Sequence, residues 1–325
     1  MNPGKWQILI TPNIPESGIK MLEEFFNVEI NKKGEPLSKK ELMEKIKRKH
    51  ALCCGAEDII DAEVMDAAPN LKIIARFGAG YDNIDVKEAT KRKIYVTCTP
   101  GAPTESVADM TWCLILALGR RLLEADRFVR KGLFTKTSPP SLKTRDVSGK
   151  TLGIIGAGKI GTAVGKRAIG FNMKILYADV AENRELEKIG AKKVSLEYLL
   201  VNSDFVSLHV PLNDSTYHLI GEKEFSLMKN TAYLINTSRG KVIDEKALVR
   251  ALKTGKIKGA ALDVYEREPE VGKELVEMEN VILTPHTASN TEETWGKMAE
   301  MVAEDCILAF KGEKPKHLVN PEVLE

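Results

Sequence analysis

Two patterns in this chain have the residue types and spacing to do chemistry. The first is Gly156-Ala-Gly158-Lys159-Ile160-Gly161, which follows the apolar run Thr151–Ile155 and opens a helical stretch at residues 162–169. Gly156 permits a tight turn, Gly158 lets backbone amides approach a pyrophosphate, and Gly161 lets helix pack closely on strand. The positive end of that helix then faces the phosphates. A second apolar run, Lys174–Ala178, ends in Asp179, eighteen residues beyond Gly161. A carboxylate there can accept both ribose hydroxyls of an adenosine and would repel a 2′-phosphate. Glycines alone are a weak signal. Strand, glycines, helix, strand and acid in order predict dinucleotide binding, with NAD favoured over NADP and the nearby Arg184 able to blunt that preference.

The second pattern is three polar residues, each beside a strand or turn signal. Arg239 follows Leu234-Ile-Asn-Thr-Ser, Glu268 precedes Pro269 in a loop that begins near Asp263, and His286 follows Val281-Ile-Leu-Thr-Pro. Oxidising a 2-hydroxy acid needs a base for the hydroxyl proton, a cation for the carboxylate and developing carbonyl, and a hydride acceptor. Imidazole, an orienting carboxylate and a forked guanidinium suit those tasks. Taken singly, a histidine after a strand is more often structural, and loop Arg and Glu are commonly just solvated. A further turn, Arg76-Phe-Gly78-Ala79-Gly80, has Asn83 where a third glycine would be required. It reads as a poor dinucleotide site and as either a small-anion nest or an ordinary tight turn.

These groups need elements to position them. Apolar runs at 7–10, 51–54, 71–75 and 94–96 alternate with helical-period segments, the signature of βαβ units on a parallel sheet. Ser38-Lys-Lys-Glu41 predicts a capped helix over 41–49, and Asp244 predicts another that buries Ala247, Leu248, Ala251 and Leu252 before Gly255 stops it. A long helix follows the Pro-Gly-Ala-Pro turn near residue 101, and the aperiodic loop 135–147 is expected to be exposed and to connect two packed units.

At 325 residues, a prior of roughly 150 per domain predicts two domains. With 48 Lys plus Arg against 46 Asp plus Glu, the net charge of +2 gives no field for nucleic acid or an anionic membrane. The apolar run 112–118 is far short of the ~20 residues that span a bilayer, and the N-terminus lacks a signal-peptide core, so a cytoplasmic location is expected. Five cysteines without a Cys-x-x-Cys pair predict reduced, mostly buried thiols and no metal site. His209 reads as a packing or backbone-contact residue, and His50, His218 and His317 as surface residues.

The chain resembles the D-isomer-specific 2-hydroxyacid dehydrogenases over almost its whole length. Five motifs occur in the family's order: Phe77-Gly-Ala-Gly-Tyr-Asp-Asn-Ile-Asp85, Gly156 to Gly161, Val210-Pro211-Leu212 with Leu219-Ile220, Asn236-Thr237-Ser-Arg-Gly240, and Asp263-Val-Tyr-Glu-Arg-Glu-Pro269 leading to Pro285-His286. The resemblance implies two doubly wound α/β lobes, a Rossmann NAD domain at 101–289 inserted into a flavodoxin-like substrate domain formed by 1–100 and 290–325. The return helix would start near Ser289, whose Ser-x-x-Glu292 resembles a capping box.

It further implies His286 as proton donor and acceptor, Glu268 as its paired acid and Arg239 as the substrate arginine. The amides of Ala79 and Gly80 would hold the substrate carboxylate. The NAD would be held by Gly156, Gly158, Lys159, Ile160, Gly161, Asp179, Val210, Pro211, Thr237 and Asp263, the last touching the nicotinamide amide. A homodimer through the helix from Thr104 to about Leu123 is implied as well. The partners are then a small 2-hydroxy or 2-oxo acid and a second copy, with no nucleic acid or membrane. Arg76 sits where phosphoglycerate dehydrogenases carry a phosphate-contacting arginine, which favours 3-phosphoglycerate, although a structural ion-pair role fits equally. Gly55 and the lack of an appended regulatory domain favour the alternative, a glyoxylate or hydroxypyruvate reductase. A non-catalytic NAD-sensing corepressor-like protein is the rival from another class, which absence of turnover despite NADH binding would favour.

Overall fold

A computed structural model describes residues 4–135 and 142–325. The described strands make two sheets, each parallel throughout. The first holds β1 (Trp6–Ile10), β2 (Phe26–Ile30), β3 (Ala51–Cys54), β4 (Ile73–Arg76) and β5 (Tyr95–Thr97) in the order β2-β1-β3-β4-β5. The second holds β6 (Thr151–Ile155), β7 (Lys174–Ala178), β8 (Lys192–Lys193), β9 (Phe205–Leu208), β10 (Tyr233–Asn236), β11 (Gly259–Leu262) and β12 (Val281–Leu283). Their order is β12-β11-β10-β9-β6-β7-β8. These are the flavodoxin-like and Rossmann strand orders of doubly wound sheets.

The chain divides into two compact units, Met1–Pro103 with Asn290–Glu325 and Thr104–Ser289. Strands β3, β4, β9, β10 and β11 are buried at every position. Their near-continuous apolar runs follow from burial of both sheet faces under helices. Each unit accordingly has two apolar clusters, with Ile8, Ala51 and Met298 in one and Leu9, Leu52 and Ile74 in the other for the first. In the second unit Leu152 and Ile235 lie in one cluster, Val206 and Leu234 in the other.

Two of the predicted caps form. Ser38 and Glu41 exchange backbone N–H bonds at the start of the helix Lys39–Ile46. Asp244 accepts from the Ala247 N–H at 3.0 Å and opens Glu245–Lys253, which buries its four predicted apolar residues. Three elements differ from expectation. The long helix stops at Gly119, because Arg121 turns left-handed (φ 48°), and a separate helix runs over Leu122–Arg130. The return helix Glu292–Phe310 is capped by Thr291, whose hydroxyl accepts from Thr294 N–H, rather than by Ser289. The loop expected to join the units lies inside the second one, with residues 136–141 of it outside the described set.

The first unit is completed by the end of the chain. Val96 N–H donates to Asn320 Oδ1 at 2.8 Å, and Asn320 Nδ2 donates to Ile94 O at 2.9 Å and Thr90 Oγ1 at 3.0 Å. Val319 N–H donates to Val96 O at 2.7 Å. Among the described residues no helix is long and apolar enough to cross a membrane.

Candidate active site

The glycine turn lies where β6 ends, at the point where the strand order reverses between β6 and β9. Gly156 adopts φ 94°, and a Cβ there would come within 2.6 Å of the His209–Val210 peptide. A Cβ on Gly161 would come within 2.1 Å of Gly156 O, so the helix Lys159–Ala168 can sit this close only without a side chain. Gly158 is different. A Cβ there would meet nothing within 4 Å, and the helix begins at Gly158 with no side-chain cap. Open space in front of uncapped helix amides fits a pyrophosphate. Lys159 is exposed and Ile160 half-buried beside it, with half-buried Val210 and exposed Pro211 on the neighbouring segment. Asp179 accepts from Ala157 N–H at 2.6 Å and Ala181 N–H at 3.0 Å, which fixes its carboxylate next to the turn. The residues present therefore fit a dinucleotide.

The three polar residues come from the carboxyl ends of adjacent strands β10, β11 and β12, all in the second unit. His286 Nδ1 lies 2.7 Å from Glu268 Oε2, and both side chains are about a third exposed, at 37% and 34%. Burial pushes the Glu268 carboxyl up. The His286 hydrogen bond and charge, the Tyr265 N–H bond and the Arg239 charge outweigh it and hold the group below the usual carboxylate range. Arg239 thus acts electrostatically on the Glu268 carboxylate. His286 itself has φ 53°, a left-handed conformation uncommon for a residue with a side chain. Its N–H donates to Asp263 O at 2.8 Å, and such strained positions cluster at functional sites.

Sequence reasoning missed the residues that hold these three. Asn236 is fully buried and ties the Arg239 turn: its Oδ1 accepts from Ser238 N–H (3.0 Å) and Oγ (2.8 Å), and its Nδ2 donates to Arg239 O at 2.9 Å. The signal was present as Asn-x-Ser after a strand, an Asx turn. Thr284 Oγ1 donates to Asp263 Oδ1 at 2.6 Å. No local pattern announces that pairing.

Several residues expected at the site have buried partners within the protein. Asp263 is fully buried, and its carboxylate accepts from Thr284 Oγ1, Thr287 N–H and Ala288 N–H. It braces the His286 loop. Thr237 is 8% exposed with its hydroxyl 3.0 Å from that of Thr111. Arg76 is 6% exposed, donates to Phe77 O, and packs under Gly78. Ala79 and Gly80 are half-buried in the turn.

The histidines set aside as surface residues are all partnered. His50 Nδ1 accepts from Gln7 N–H at 3.1 Å, His218 Nε2 lies 3.2 Å from Glu266, and His317 Nδ1 lies 3.0 Å from buried Asp305. His209 is half-buried with Nε2 2.9 Å from Ser207 Oγ, and desolvation pushes it down to about 3. The five cysteines are free thiols, four of them buried and Cys113 exposed. Among the described residues no group of His, Cys, Asp and Glu is arranged to hold a metal.

Residues 112–288 match the family described as D-isomer specific 2-hydroxyacid dehydrogenase, NAD binding domain. The chain belongs to that family. It is similar to a protein of Korarchaeum cryptofilum named glyoxylate reductase, with 52% identity over 324 residues, 99% of this chain and 98% of that one. It is similar in structure to an NADPH-dependent glyoxylate/hydroxypyruvate reductase from Sinorhizobium meliloti solved with NADP and malonate, with 31% identity, TM-score 0.88 and 98% of each chain covered. A D-lactate dehydrogenase from Aquifex aeolicus solved with NAD and lactic acid has 32% identity and TM-score 0.85, covering 96% of this chain and 98% of that one. This family member is an oxidoreductase of 2-hydroxy acids that uses a nicotinamide dinucleotide. The relatives' names favour the glyoxylate alternative over the 3-phosphoglycerate expectation.

Proposed function

We propose that this dehydrogenase is an NADH-preferring reductase of small 2-oxo acids, with glyoxylate as substrate. The observation that carries the proposal is the 2.7 Å bond between His286 Nδ1 and Glu268, within the electrostatic reach of Arg239. When bound, the reduced nicotinamide supplies hydride to C2 of the oxo acid. With Nδ1 engaged by Glu268, the other ring nitrogen, Nε2, is the one that delivers the proton to the carbonyl oxygen, giving the 2-hydroxy acid. Glu268, held ionised, keeps the ring oriented and balances the imidazolium charge. Arg239 binds the substrate carboxylate and the oxygen on which negative charge develops. Ala79 and Gly80 lie in a strand-to-helix turn of the first unit, a backbone shape suited to a small anion.

Support for a small substrate comes from the relatives' names, and Arg76 is buried with its guanidinium donating to Phe77 O. The Asp179 carboxylate supports NADH, since a fixed negative charge repels a 2′-phosphate. A homodimer through the region from Thr104 is supported by the helix Leu122–Arg130, which buries none of its residues and leaves Leu122, Leu123 and Val129 exposed, as are Leu133 and Phe134 beyond it. A second copy of the chain is the occupant proposed for that surface.

The test is steady-state reduction of glyoxylate, hydroxypyruvate, pyruvate and phosphohydroxypyruvate with NADH. Glyoxylate should give the highest kcat/KM. A higher value for phosphohydroxypyruvate would restore the phosphate reading, and NADH binding without turnover of any of the four would favour the non-catalytic sensor. His286→Ala should lower kcat by ~10²–10⁴, the usual worth of a positioned acid, while NADH binding persists.

A further inference from the structure

Asn183 makes more bonds than its position requires. It caps the helix Arg184–Lys188, its Oδ1 accepting from Leu186 N–H at 2.9 Å. A cap needs only that oxygen. The amide nitrogen is turned the other way and donates both hydrogens, to Ala157 O at 2.7 Å and to Thr162 Oγ1 at 2.7 Å. Ala157 is the middle residue of Gly156-Ala-Gly158, and Thr162 lies in the first turn of the helix behind it. Ala157 N–H in turn donates to Asp179 Oδ2 at 2.6 Å. Both polar groups of one glycine-turn residue are therefore held by the loop that follows β7, its N–H by Asp179 and its carbonyl by Asn183. The loop end is anchored as well, since Asn183 N–H donates to Tyr177 Oη at 3.0 Å, and that hydroxyl donates to Glu187 at 2.7 Å.

The glycine turn is closed on its other sides by backbone, the His209–Val210 peptide against Gly156 and Gly156 O against Gly161. Asn183 and Asp179 supply the remaining side, through bonds that can be removed singly. We infer that Asn183 is a positioning residue for the adenosine half of the cofactor, fixing the glycine turn and the Asp179 carboxylate relative to one another and so sharpening the choice of NADH over NADPH. This rests on the dinucleotide reading of the turn given above. A turn held in its binding geometry loses less freedom when ligand arrives, and the gain appears as affinity. The NADPH penalty depends on the Asp179 charge staying put, because a carboxylate free to swing away repels a 2′-phosphate less.

The variant that separates this role from helix capping is Asn183→Ser. Serine is an equally good neutral cap but is too short to reach Ala157 O. Titration of NADH and NADPH fluorescence against the whole protein, without substrate, reads affinity alone. The Kd for NADH should rise about 3- to 30-fold, the range set by losing one or two neutral hydrogen bonds. The ratio of the NADPH to the NADH Kd should fall, and in turnover the loss should be carried by KM for NADH rather than by kcat. Thr162→Val removes the second acceptor with little change in shape and should shift Kd the same way by less, which keeps the test open if Asn183→Ser fails to fold. Asp179→Ala separates the two readings. If it weakens NADH binding while Asn183→Ser and Thr162→Val leave both Kd values unchanged, the positioning role is overturned. If neither it nor the wild type distinguishes NADH from NADPH, the Asp179 reading falls first and this inference with it.

Discussion

Two glycine turns at the carboxyl ends of parallel strands look alike in sequence and are built differently. In the second unit, Gly156–Gly161 opens the ten-residue helix Lys159–Ala168, whose first amides have no side-chain cap, with clear space beside Gly158. In the first unit, Gly78–Gly80 leads to the six-residue helix Val86–Lys91, whose N-terminus is already occupied because Asp85 accepts from Glu88 N–H at 3.0 Å. Asn83, standing where the third glycine would be, donates its side-chain amide to Gly55 O at 3.0 Å and Asp58 O at 2.6 Å. A glycine motif is thus a licence for close approach and not a site. What distinguishes the two is whether the helix behind the turn still has open donors and whether the third position must be bare.

That contrast can be broken by substitution. Gly161→Ala puts a methyl 2.1 Å from Gly156 O, so NADH binding should weaken by about 100-fold, the upper end of overpacking costs. Binding within threefold of wild type would show that the third glycine is dispensable here too. Gly78→Ala should act on the other turn: φ is 143° and the new Cβ would meet the Arg76 guanidinium at 2.6 Å. A strained residue of this kind should destabilise the first unit by about 1–3 kcal/mol, read as a lower Tm, while the NADH Kd moves less than twofold. An NADH Kd raised as much as by Gly161→Ala would erase the contrast between the two turns.

Asn83→Gly restores the full glycine pattern yet should create no second dinucleotide site, because Asp85 still caps the helix. NADH stoichiometry by calorimetry should stay at one per chain. Loss of the two Asn83 bonds should lower Tm by about 2–6 °C.

The smallest effect concerns His209, against which Gly156 packs. Burial lowers it from 6.5 to about 3, so the folded protein holds it neutral while the unfolded chain binds a proton below 6.5. Its contribution to stability is therefore full above pH 6.5 and declines as pH falls toward 3. Its ring proton shifts should not titrate between pH 8 and 4.5, and a midpoint near 6.5 would place it in solvent.

Much of the scaffold was legible because buried parallel strands are continuous apolar runs, as β3 and β6 show. Strand β2 escaped because Phe26-Asn-Val-Glu-Ile30 is an edge strand with one buried residue, too polar to stand out. The helix break at Arg121 escaped because the apolar period continues through Leu122 and Leu123, which face outward. The glycine turn and Asp179 could be placed by spacing, since they belong to one βαβ unit. Arg239, Glu268 and His286 could be named individually, but their meeting depends on the pairing of β10, β11 and β12, which short-range pattern does not encode. The cofactor roles of Asp263 and Thr237 came from the family resemblance, and neither has a local sequence mark for its buried partner, Thr284 for the one and Thr111 for the other.

The tie between Asn320 and β5 sets an order of assembly. It joins groups 224 and 226 residues apart in the chain, and the whole Thr104–Ser289 unit emerges between them. During synthesis that inserted unit can reach its native state while the first one still lacks the segment that satisfies Val96 and Ile94. A nascent chain released before Asn320 would present a finished nucleotide-fold unit joined to a partner with unmet backbone groups at β5, and proteolysis of such truncated chains should begin in the first hundred residues.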